Sequence, residues 1–106
     1  MPLDVYENVI KLAGQLQFLR DYTGRAITIN SAYRSPEHNA KVGGSPTSQH
    51  LLGKAADITI ESLTPFQVFA LIEELIDMGL MLQGGLGLYD TFVHYDIRKT
   101  KSRWDA

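Results

Sequence analysis

A carboxylate in the middle of an apolar strand constrains this chain more than any other feature. The run Lys54-Ala55-Ala56-Asp57-Ile58-Thr59-Ile60 has the β-branched content and alternation of a strand. Alternation sends Ala56, Ile58 and Ile60 to one face and Asp57 and Thr59 to the other. The apolar face needs a hydrophobic layer packed against it. The opposite face carries an Asp that is costly to bury unless it is paired or bound to a metal. Ala55 and Ala56 keep the surroundings of that Asp small.

The layer for the apolar face is visible as helices. Val5, Val9, Leu12, Leu16 and Leu19 recur at steps of four and three, one apolar stripe. Asp4 and Glu7 read as a capping pair at its start, and Gly24 as the cap at its end. Thr64-Pro65-Phe66-Gln67 opens a second long helix, with Val68, Leu71, Ile72, Leu75 and Ile76 as its buried stripe and Gly79 beyond its end. Ser35-Pro36 predicts a short helix over 36–41, and the residues from Gly43 to Ser48 a turn-rich loop. Residues 26–32 read as a strand, and two further strands near 82–89 and 92–98 meet at Asp90-Thr91. The order predicts an α+β fold, with helices on one face of a mainly antiparallel sheet. No internal repeat or linker interrupts it, and 106 residues suit a single domain, 1–106.

Charge and cysteine usage narrow the chemistry. A net charge of −2 argues against a nucleic-acid partner held by phosphate neutralisation. No apolar run is long enough to insert in a membrane. The amino terminus has neither the basic nor the apolar region of a secretory signal, so the expectation is a chain that is cytoplasmic as synthesised. Cysteine is absent, which removes disulfides, thiol nucleophiles and thiolate ligands. Any metal must be held by His and carboxylate. The three histidines are His38, His50 and His94. His38 follows Glu37 on a predicted surface helix and reads as solvated. His50 precedes Asp57 across Gly53, which lets the chain bend back sharply. In Phe92-Val93-His94-Tyr95-Asp96-Ile97-Arg98, alternation puts His94 on one face with Phe92, Asp96 and Arg98, and gives Val93, Tyr95 and Ile97 to the core. Two histidines and an Asp match the three protein ligands of an open zinc site. An isolated His on a strand is, however, more often only hydrogen-bonded.

The string from Ser48 to Asp57 resembles the S-x-H-x-x-G-x-A-x-D signature of the zinc D-alanyl-D-alanine carboxypeptidase family, within the group that also holds lysostaphin-type peptidases and the hedgehog domain. Ser48, His50, Gly53, Ala55 and Asp57 all match it. Ser31-Ala32-Tyr33-Arg34-Ser35-Pro36 is similar to the family's S-x-Y-R-S segment, and Phe92 to Asp96 to the F-V-H-x-D block of its short bacterial and phage branch. The resemblance implies His50, Asp57 and His94 as zinc ligands. It implies Arg34 as the cation that receives a substrate carboxylate, with Ser48 and Gln49 also substrate-binding. A structural ion pair with Glu37 is the alternative for Arg34. Many relatives carry an acid three residues before the last His ligand, as general base. Here that position is Thr91, and the two nearby acids, Asp90 and Asp96, are equal candidates for the general base; either could instead orient His94. The implied activity is zinc-dependent hydrolysis of D-alanine-containing peptide bonds in peptidoglycan stem peptides or cross-links, by a monomer acting on the cell wall, as in phage lysis. A non-catalytic zinc-containing binding module on the same scaffold stays open beside it.

Overall fold

The computed structural model describes residues 2–33, 35–41 and 48–105. Helix α1 (Leu3–Thr23) leads into strand β1 (Ile27–Ser31) and the short α2 (Pro36–Lys41). A 3-10 turn (Gln49–Leu52) then feeds β2 (Ala55–Ile60) and α3 (Pro65–Asp77). Strands β3 (Gly85–Leu88), β4 (Val93–Asp96) and β5 (Ser102–Asp105) complete a five-stranded sheet in the order β1-β2-β4-β3-β5. All pairings are antiparallel except β3 with β5. The fold is α+β, as the sequence pattern predicts.

The core lies between the two long helices and one face of this sheet. Leu12, Leu16 and Leu19 of α1 and Val68, Ile72, Leu75 and Ile76 of α3 pack with Ala56, Ile58 and Ile60 of β2. Leu86, Val93 and Tyr95 extend that layer across β3 and β4. The phenol of Tyr95 is satisfied within the core by donating to the Leu82 carbonyl at 2.8 Å. Thr64 and Gln67 form the reciprocal capping box that starts α3, with bonds of 2.9 and 3.2 Å. Gly24 caps α1 in the left-handed conformation, φ 66°.

Two expectations are corrected. Asp4 does not cap α1: the helix begins two residues earlier than that cap would set, at Leu3, with Pro2 at the cap position and no side-chain cap bond. Asp4 instead sits in the first turn, where a negative charge suits the helix dipole. The tail also holds a strand beyond the predicted hairpin. β5, Ser-Arg-Trp-Asp, has no apolar alternation to betray it, and it runs parallel to β3 at the sheet edge.

The register prepares the other face. Ser31 pairs with Asp57, Asp57 with His94, His94 with Gly87, and Gly87 with Trp104, one row running across all five strands. This row lies on the side away from α1 and α3.

Candidate metal centre

β2 supplies Asp57, the adjacent β4 supplies His94, and the 3-10 turn before β2 supplies His50. Ser48 caps that turn by accepting the His50 N–H at 3.2 Å. Gly53 ends it at φ 70°, a left-handed residue whose missing Cβ would lie 2.8 Å from the Val5 carbonyl oxygen. The turn is thus seated against the first turns of α1, and Asn8 adds a bond from its amide to the Leu52 carbonyl at 2.9 Å.

His50, Asp57 and His94 offer ligand atoms that all lie within 4.8 Å of one another. His50 Nε2 is 3.3 Å from one Asp57 oxygen, and His94 Nδ1 is 3.1 Å from the other. The side chains of His50, Asp57 and His94 are 3 %, 17 % and 10 % exposed, so the carboxylate is the most open member of the cluster. The two rings meet edge to face at 5.3 Å.

The remaining nitrogen of each ring is already committed. His50 Nδ1 donates to the Ala32 carbonyl at 2.7 Å. His94 Nε2 donates to Asp96 Oδ2, also at 2.7 Å. These bonds leave Nε2 of His50 and Nδ1 of His94 to face Asp57, which is how metal-binding imidazoles are oriented by their outer partners. Two imidazoles and one carboxylate form a donor set suited to zinc and related divalent ions. The residues present therefore fit a metal ion.

The charges agree with this geometry. Burial alone would raise the Asp57 carboxyl, but hydrogen bonds and charge from His50 and His94 outweigh it and hold it at about 2. Burial likewise opposes a charged His94, yet bonds to Asp57 and Asp96 raise its value above that of an ordinary imidazole.

Asp96 sits behind His94. It has no exposed surface. Besides His94, its oxygens accept from the Gly85 N–H at 2.8 Å, the Arg98 N–H at 3.1 Å and a two-pronged Arg98 guanidinium, with the closest contact 2.7 Å. Burial raises this carboxyl, but the bonds from His94 and Arg98 overcome it and hold it far below the usual range. Gly85 is required beside it, since a Cβ there would run into the Asp96 carboxylate. Asp90, the other acid near His94, lies exposed where β3 turns into β4. It lines a cleft of about 380 Å³ with Thr64, Phe66, Tyr89 and Asp105. Among the described residues, no hydrogen bond or ion pair joins it to His50, Asp57 or His94.

Of the other residues singled out in the sequence, Arg34 and the His38 side chain lie outside the described residues. Most of the turn-rich loop, residues 43–47, lies outside them too. Gln49 is half-buried, and its side-chain oxygen has no hydrogen-bond partner among the described residues. Alternation alone puts Arg98 on the His94 face without giving it a partner, and no periodicity marks Trp104. The available signal was the alternation Gly85-x-Gly87, which opens two side-chain positions on the face that carries His94.

Among the described residues, no helix is long and apolar enough to cross a membrane. A family model described as Peptidase M15 matches residues 3–96, well over half of the chain, and includes all three members of the cluster. No curated protein matches.

Proposed function

The chain belongs to the peptidase M15 family, of the zinc D-alanyl-D-alanine carboxypeptidase type, and from that premise we propose that it hydrolyses D-alanine-containing peptide bonds of peptidoglycan stem peptides or cross-links. The observation that carries the reading is the convergence of His50 Nε2, Asp57 and His94 Nδ1, each ring fixed from behind by its own acceptor. Zinc held by these three residues would supply Lewis acidity, polarising the scissile carbonyl and acidifying water.

The protein's own residues then divide the remaining work. Asp96 and Arg98 hold the His94 ring in one orientation. With all its hydrogen-bonding capacity facing inward, Asp96 is a positioning residue in this reading. Asp90 is the proposed proton acceptor and donor, because it is exposed on the same hairpin as His94 and, among the described residues, no hydrogen bond or ion pair engages its carboxylate. Arg34 is proposed to receive the substrate's terminal carboxylate, a task that suits a guanidinium fork. Thr91 supports a second reading. It stands where many relatives carry the general base, and a chain without that acid could bind its peptide and leave it intact.

Digestion of purified peptidoglycan with the zinc-loaded protein, followed by mass analysis, separates these outcomes. Free D-alanine identifies an exopeptidase, and muropeptide monomers an endopeptidase. Saturable peptide binding with no product favours the binding module.

A further inference from the structure

The segment after residue 96 lies outside the matched family span, yet it brings the chain's one tryptophan to the metal-binding row. Trp104 pairs with Gly87, and Gly87 pairs with His94. A Cβ on Gly87 would collide with the indole, so the ring lies directly over that glycine. It meets the His94 imidazole with ring centres 5.0 Å apart at 51°. The indole N–H donates to the Tyr89 hydroxyl at 3.0 Å, and Tyr89 stacks on Phe92 at 4.4 Å and 11°. Arg98, which grips Asp96, also lies 5.5 Å from the Trp104 ring. The three aromatic side chains are half-buried, and Trp104 lies on the sheet face that carries His94.

We propose that Trp104, with Tyr89 and Phe92, is the platform on which the substrate lies beside the metal-binding cluster, Trp104 taking the apolar part of the peptide next to the scissile bond. This proposal rests on the peptidase reading above. The polar edge of the indole is satisfied within the protein, so what it offers a ligand is the part of its apolar ring that Gly87, His94 and Arg98 leave uncovered. Such a surface contributes large contact area at a small cost in side-chain entropy. It suits a short peptide with small side chains, whose amide planes and methyl groups lie flat. The platform begins at His94 and runs toward the turn that carries Asp90, so a peptide on it passes the metal-binding cluster.

The test is a titration of the zinc-loaded protein with a stem peptide ending in D-Ala-D-Ala, read by tryptophan fluorescence and by hydrolysis. Peptide should shift the emission and saturate near the KM of hydrolysis. Trp104→Leu should keep its zinc and raise KM about tenfold, with kcat within about threefold. Trp104→Phe should stay within about threefold of the parent in KM. An unchanged KM in Trp104→Leu, or a loss that lies in zinc content instead, overturns the proposal. Should Trp104→Leu fail to fold, Tyr89→Phe removes the indole's acceptor and leaves every ring in place. It should keep its zinc and stay within about threefold of the parent in KM, and its fluorescence titration then decides: no emission shift at saturating peptide overturns the platform. A parent that binds peptide with a fluorescence shift and cleaves nothing overturns the peptidase reading alone. A parent that cleaves, with no fluorescence shift and a parental KM in Trp104→Leu, overturns the platform alone.

Discussion

His94 is gripped at both ring nitrogens, and the two carboxylates that grip it are not equivalent. Asp57 is the open one, facing both imidazoles, whereas Asp96 is enclosed and saturated. Asp96→Asn should therefore act through the metal, lowering zinc affinity or activity about 10–100-fold. Its activity should recover as zinc is raised in the assay. Asp90→Asn should behave in the opposite way, keeping its zinc while losing about 10²–10⁴ in rate at saturating metal. Near-parental activity in that variant would remove Asp90 from the proton-transfer role. Much of this was legible in the residues themselves. The interval from His50 to Asp57 across a glycine, and the shared face of His94 and Asp96, are both in the sequence pattern. The number of donors that converge on Asp96 was not, because alternation gives a side chain's face and says nothing of its neighbours on the next strand.

The elements differ in how plainly they are written. β2 and α3 are explicit, one by alternation and the other by the Thr64–Gln67 box. β5 is implicit, because its position depends on partners far away in sequence. Arg103 anchors it, donating to both Glu73 oxygens of α3 at 2.7 and 2.8 Å, to the Gly84 carbonyl at 2.6 Å and to Gln83 at 2.8 Å. The Arg103 guanidinium holds the Glu73 carboxyl below its usual value. A carboxyl lowered on folding stabilises the fold above its unfolded value of about 4.3, and that stability is lost as pH falls through the lower folded value. Glu73→Gln should cost about 1 kcal/mol at pH 7, since the pair is only part-buried. Denaturant melts of parent and variant should converge as the medium is acidified below about pH 4. A difference that persisted in acid would mean that the Gln packs poorly, independent of the ion pair.

At the scale of the whole molecule, the sheet separates two tasks. One face is sealed by α1 and α3 and carries the core; the other carries the imidazoles, the carboxylates and Trp104. Asp57 is paired with both histidines, so its charge has partners within the protein. Chelation should leave a folded protein by circular dichroism that melts at a lower temperature. Zinc at about 1,000 times its Kd should restore about 4 kcal/mol. Unfolding on chelation alone would show that the His–Asp–His pairing does not sustain this face. The seat of Gly53 against the Val5 carbonyl, with Asn8 reaching Leu52, joins the two faces at one point. Hydrogen exchange makes that link measurable. Backbone protons at Gly53 and Lys54, bonded to His50 and Gln49 carbonyls, should exchange only when the opening turns of α1 unravel. Trimming or burdening the amino terminus would then hasten the escape of metal from a centre more than forty residues downstream in the chain.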